Sequence, residues 1–128
     1  MAAAEIPEPF AWNESFDIKV PVLNEQHSTL FDMIRELDGN KDDAGKLTAL
    51  LEFAQLHFKT EEDLFALHNW GEGQATAHKA IHDKFVADAV DATKGGVDDG
   101  VIAFCKRWLV DHILISDVKY SACLEGKA

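Results

Sequence analysis

The stretch His57-Phe58-Lys59-Thr60-Glu61, with its counterpart His78-Lys79-Ala80-Ile81-His82, decides how the chain folds. Each holds two side chains of metal-ligating type four residues apart. On a helix such a pair projects from one face, with Cβ atoms about 5–6 Å apart. That is a natural bite for one ion, or for half of an ion pair. An isolated pair of this kind is more often a solvated helix face, so its meaning depends on what surrounds it.

Outward from both pairs, apolar residues recur at spacings of three and four. A helix predicted over about 42–66 carries Leu47, Leu50, Leu51, Ala54, His57, Phe58, Glu61, Leu64 and Phe65 in phase. The next, over about 74–93, carries His78, Ile81, His82, Phe85 and Ala89. Another is predicted over about 20–38, with Leu23, His27, Leu30, Phe31, Ile34 and Leu37 on one stripe. The last begins near Val97 and carries Val101, Phe104, Cys105, Trp108, Leu109, His112 and Ile113. No segment alternates with period two. The breaks hold turn and cap chemistry in Gly39-Asn40-Lys41-Asp42-Asp43, Trp70-Gly71-Glu72-Gly73 and Gly95-Gly96-Val97-Asp98-Asp99-Gly100. The fold class this predicts is all-α, an antiparallel up-down-up-down four-helix bundle over residues 20–128. Residues 1–19 are expected to form an extended N-terminal arm lying over one side. Pro7 and Pro9 forbid regular structure there, and Phe10, Trp12 and Phe16 need an apolar surface.

Composition narrows the function classes. The 128 residues are 47% hydrophobic, enough for one buried core. A net charge of −11 repels nucleic-acid phosphates and anionic lipid, so neither is an expected partner. The first residues carry no basic and apolar leader, and no apolar run is long enough to span a bilayer. Cys105 and Cys123 fit no metal-thiolate spacing and read as reduced thiols. The expectation is a cytoplasmic protein, monomeric rather than a homo-oligomer.

Five of the six histidines lie on the apolar stripes. One such histidine is usually a core residue with a satisfied hydrogen bond. Five in phase need a better account: burying an unpaired imidazole or carboxylate is costly, and a metal ion is one partner that removes that cost. Residues equidistant from the turn of a helical hairpin lie side by side. The midpoint between the His57/Glu61 and His78/His82 pairs falls beside Trp70-Gly71, that between His78/His82 and His112 at Gly96, and that between His27 and His57/Glu61 at Asp43. All three fall in or beside predicted turns, so all four helices present their ligands at one level. His27, His57, Glu61, His78, His82 and His112 exceed the four ligands of a tetrahedral zinc site, which points to two ions. Asp117 is a further candidate. Five residues from His112 is about 140° around a regular helix, so it reaches the same site only if the last turn is loosened.

At these residues the chain resembles the hemerythrin family, most closely the animal myohemerythrin type, which is itself a standard example of an up-and-down bundle. The likeness runs through Pro7-Glu8-Pro9-Phe10-Ala11-Trp12-Asn13-Glu14-Ser15-Phe16, Glu25-Gln26-His27 with Leu30-Phe31, and His57-Phe58-x-x-Glu61-Glu62. It continues in His78-x3-His82-x2-Phe85 and Trp108-Leu109-Val110-Asp111-His112-x4-Asp117-x-Lys119-Tyr120. The resemblance implies two iron ions per chain in an oxo- or hydroxo-bridged centre. One would be held by His78, His82 and His112 and the other by His27 and His57, with Glu61 and Asp117 bridging. One coordination position is then left open for dioxygen, and the implied function is reversible oxygen binding for storage or transport, not catalysis.

By the same resemblance Leu30, Phe58, Trp108, Leu109 and Ile113 would wall a dry ligand pocket, and Tyr120 would stand beside a bridging carboxylate. Phe65 occupies a place where the family often has methionine. His68 lies off the ligand pattern, near the end of the second helix, and reads as a helix-terminal residue. Other readings of the same centre are a di-iron enzyme or sensor handling O2, peroxide or NO, an iron-storage or detoxification protein, and a zinc-only structural bundle.

Overall fold

The computed structural model describes residues 4–127. It is all-helical, and the bundle expected from the periodicity is formed. Helix α1 spans Pro21–Asp38, α2 Ala44–Leu67, α3 Glu72–Ala92 and α4 Asp99–Asp111. The last rod then passes through a π-helical turn, His112–Asp117, and continues as α5, Val118–Leu124. Helix α1 packs beside α2 and α4, and α3 beside α2 and α4, so the four rods alternate in direction around one core.

Local chemistry sets the ends of these helices. Pro21 opens α1, where its missing N–H has no intrahelical partner to lose. Asp43 caps α2 by accepting the Lys46 N–H at 3.1 Å, and Asp98 caps α4 by accepting the Val101 N–H at 2.9 Å. The Asp98 cap moves the start of the last helix to Asp99, two residues beyond the expected Val97. Helix α3 starts earlier than expected, at Glu72, an acidic residue suited to the positive end of the helix dipole.

Helix α2 closes with a Schellman motif. Asn69 adopts φ 56, its N–H reaches the Ala66 carbonyl at 3.4 Å, and the Trp70 N–H reaches that of Phe65 at 2.9 Å. The accompanying apolar contact is the Phe65–Trp70 ring pair, 4.6 Å between centroids.

Before α1 the described chain has one regular element, a 3-10 turn at Glu14–Phe16. Phe10 and Phe16 bury their rings against Phe31, at 4.5 and 4.9 Å. Arg35 donates to the Phe10 carbonyl at 2.7 Å and Arg107 to that of Ala4 at 2.6 Å, which ties this segment to α1 and α4. Trp12 is half-buried.

The interior has two zones. Polar ligand-type side chains fill the zone nearer the α2–α3 turn. The other zone is apolar and holds a cavity of about 30 Å³ between Leu30, Leu47, Phe58, Phe85, Cys105 and Trp108, among others. Among the described residues, no helix is long and apolar enough to cross a membrane. Replacing Asp98 by alanine leaves the α4 amino end uncapped. It is expected to lower unfolding free energy by about 1 kcal/mol in urea titration, with an unchanged helical circular-dichroism spectrum in the native state.

Candidate metal centre

The site follows from where each helix places one or two polar residues on its buried stripe. Helix α1 supplies His27, α2 His57 and Glu61, α3 His78 and His82, and the last rod His112 and Asp117; all seven are buried. The pairs on α2 and α3 share a face through their four-residue spacing, as the sequence requires. His112 and Asp117, five apart, share one because the helix becomes π-helical between them. That is the loosened turn their spacing demands, and it brings Asp117 Oδ1 to 3.0 Å from His112 Nε2.

The seven side chains converge on two adjoining points. Glu61, His78, His82 and His112 form one group able to hold a metal ion, and His27, His57, Glu61 and Asp117 form a second. Glu61 belongs to both: Oε1 lies 2.9 Å from His57 Nε2 and 3.4 Å from His82 Nε2, and Oε2 lies 3.7 Å from His78 Nε2. Asp117 also reaches both sides. Its Oδ2 is 3.1 Å from His27 Nε2 and its Oδ1 3.2 Å from His78 Nε2.

Despite these approaches, no carboxylate oxygen of Glu61 or Asp117 makes a directed hydrogen bond. The carboxylate oxygens instead converge with the imidazole nitrogens on two common centres. Buried polar atoms left this way are costly, and cations at those centres are the partners that such a nitrogen and oxygen set fits. Imidazole with carboxylate suits iron and other first-row divalent ions.

Two residues that the sequence reading did not single out for a role fix the tautomers. His57 donates its Nδ1–H to Gln26 Oε1 at 2.7 Å, and His82 donates its Nδ1–H to Glu62 Oε2 at 3.0 Å. With Nδ1 protonated, the neutral rings present the Nε2 lone pair to the centre. Those nitrogens sit 3.1 Å from His27 Nε2 and 3.2 Å from His112 Nε2. Gln26 and Glu62 each stand one residue beside a ligand in the chain. That adjacency was the available signal, but it does not say which ring each would reach.

Aromatic rings seal the centre. Phe58 stacks on His82 at 3.9 Å and 10°, and Trp108 on His112 at 4.3 Å and 12°. Phe65, Trp70 and Tyr120 surround His78, with ring centroids 5.2, 5.9 and 5.6 Å away. Phe65 thus fills its position with a close-packed ring.

Of the expected pocket residues, Leu30, Phe58, Trp108 and Leu109 line the apolar cavity. Ile113 is fully buried but is not among the lining residues. The Tyr120 hydroxyl is buried without a hydrogen-bond partner. Burial pushes its ionisation well above the ordinary value, and the negative charges of Asp117 and Glu61 push it further. His68 is the residue that closes α2, outside both ligand groups. Cys105 is likewise outside them; burial pushes its thiol up to about 11, so it stays protonated.

The electrostatics match a cation cage. Burial opposes ionisation of Glu61 and of Asp117, but the surrounding imidazoles outweigh it and hold both carboxyls below the usual range. Burial lowers His57. At His78, burial is overcome by Asp117 and Glu61, which raise its pKa to about 9.

A raised histidine stabilises the fold below its ordinary value of 6.5, and that contribution is lost as pH rises through about 9. The depressed carboxyls contribute stability above the ordinary carboxylate range, lost as pH falls through their lowered values. Metal-free protein is therefore expected to lose stability in urea as pH rises from 6.5 through about 9. Cobalt(II) affinity should rise over the same window, because metal replaces the His78 proton. A flat affinity profile would contradict this reading.

The chain is similar to known proteins over most of its length. The sequence model of the Hemerythrin HHE cation binding domain matches residues 19–122. A hemerythrin-like protein of Naegleria gruberi is 48% identical over 122 residues, covering 95% of this chain and 99% of that protein. A myohemerythrin of Riftia pachyptila is 35% identical over 120 residues, covering 94% and 98%. A bacteriohemerythrin of Methylococcus capsulatus is 36% identical over 123 residues, covering 87% and 92%. A crystal structure of wild-type hemerythrin superposes with a TM-score of 0.82 at 30% identity, covering 91% of this chain and 98% of that one. In fold, and in sequence over nearly its whole length, the chain belongs to the hemerythrin family.

Proposed function

We propose that this protein binds dioxygen reversibly at a pair of iron ions, as a store or carrier. The observation that carries this reading is the pair of adjoining ligand groups sharing Glu61, five imidazoles among their donors, with an apolar half-core beside them. His78, His82 and His112 would hold one iron and His27 and His57 the other, with Glu61 and Asp117 spanning both. The iron pair would supply the two electrons that dioxygen takes up on binding and returns on release.

The residues present supply the rest. The His27/His57 position has one protein donor fewer than its neighbour, so it is where a small external ligand can enter. Neutral imidazole donors favour retention of the ferrous state more than a carboxylate-rich set would. Phe58 and Trp108, flat against His82 and His112, keep water from the ligand nitrogens. Leu30 and Leu109 extend the apolar wall, and a dry wall favours release of dioxygen unchanged because water and protons promote loss of reduced oxygen.

All five stripe histidines belong to the cage, and His68 lies elsewhere. No imidazole is thus left beside the centre as a general acid or base, which supports carriage over turnover.

The test is a cycle of reduction, air exposure and deoxygenation on purified protein with iron quantified. About two irons per chain and a visible charge-transfer band that forms in air and vanishes under argon, repeatedly, are expected. One-way conversion to a ferric spectrum on first exposure would overturn the carrier reading. Trp108→Ala opens the His112 side to solvent. It should shorten the lifetime of the oxygenated form by about tenfold or more, followed as decay of that band.

A further inference from the structure

The two halves of the centre differ in what stands behind their imidazoles. On the two-histidine side, the His57 Nδ1–H meets the neutral amide oxygen of Gln26 at 2.7 Å. Gln26 is held in turn by its amide N–H to Thr60 Oγ1 at 3.2 Å, and the Thr60 hydroxyl donates to the Leu56 carbonyl at 3.0 Å. On the three-histidine side, the His82 Nδ1–H meets Oε2 of Glu62 at 3.0 Å. The Nδ1 atoms of His27 and His112 are buried without a partner. One anchored ring on each side thus has an identified partner, an amide in one case and a carboxylate in the other.

We propose that Glu62 and Gln26 are positioning residues that make the two metal positions electronically unequal. Glu62 strengthens His82 as a donor, and Gln26 leaves His57 a weaker one. The inference rests on the di-iron reading above and deepens it.

A carboxylate accepting the far N–H of a ligating imidazole draws that proton towards itself and raises electron density at Nε2. A neutral amide orients the ring equally well but donates less. The stronger donor belongs to the side that already has more imidazoles, so the asymmetry adds to the difference in donor number. It favours the oxidised state and tight retention of metal at the three-histidine position. The position with room for an external ligand keeps the weaker field. Phe58, stacked on His82, shields that ring from solvent, whereas the Glu62 side chain is 24% exposed and reaches the ring from the α2 surface. Glu62 can therefore be changed without opening the core.

Two opposite substitutions test this. Glu62→Gln keeps an acceptor for His82 but removes its charge, and Gln26→Glu places a charge behind His57. Metal-free wild type and variants are titrated with cobalt(II), followed by its ligand-field absorption, and iron-loaded samples are taken through a reductive titration. Glu62→Gln is expected to weaken one of the two cobalt-binding events about tenfold and to raise the reduction potential of the iron pair. Gln26→Glu is expected to move both quantities the other way. Unfolding midpoints of the metal-free proteins report any merely structural effect, which would not give opposite signs for the two variants. If the wild type takes up two cobalt ions and both variants match it in affinity and potential, the proposed asymmetry is wrong. If the wild type cannot hold two ions, the di-metal reading fails first and this inference with it.

Discussion

Seven ligand-type polar side chains sit in the interior of a small four-helix bundle, and the rest of the molecule is arranged around that burial. Desolvating five imidazoles and two carboxylates in one place costs several kcal/mol per uncompensated charge, set against a total stability of only about 5–15 kcal/mol for a typical domain. The imidazoles offset part of that cost in the metal-free protein by holding Glu61 and Asp117 ionised. The four oxygens of Glu61 and Asp117 still lack directed hydrogen bonds, a deficit that cations held by the two ligand groups would remove. Metal uptake at such a site would be coupled to folding for this reason.

The helix ends and the π turn serve the same requirement. Capped, short turns fix the height at which each helix meets its neighbours, and a slip of one turn, about 5.4 Å, would separate ligands that now lie within hydrogen-bonding distance. The Schellman closure of α2 places Trp70 over Phe65, so the same turn that reverses the chain also packs the aromatic box around His78. At the other end of the site, one helical irregularity lets a single rod contribute both a histidine and the second spanning carboxylate.

Around the donors lies a layer that decides orientation and polarity. Rings stacked face to face on His82 and His112 restrict both imidazoles and keep solvent away. Gln26 and Glu62 select which nitrogen of their histidine carries the proton, and so which nitrogen faces the ligand cluster. Beyond Phe58 and Trp108 the core turns wholly apolar. Cys105 stays protonated there and belongs to packing, not to the centre.

Periodicity alone determined the four helices, their antiparallel order and the common height of the ligands. A spacing of three or four residues translates directly into one helix face, and equal distances from a turn translate into equal heights. His57, Glu61, His78 and His82 were legible for that reason, and His27 and His112 followed from the turns. The chain spacing also exposed the problem posed by Asp117, since five residues do not fit a regular turn; only the folded rod resolved it, by accepting a π turn in exchange for a buried bridge between both ligand groups. Tertiary structure alone decided the partners of Gln26 and Glu62, the absence of Ile113 from the cavity lining, and the two rings stacked on His82 and His112. Each of these depends on the rotation of one helix against another. That rotation is set by side-chain packing across the bundle, which no spacing within a single helix encodes.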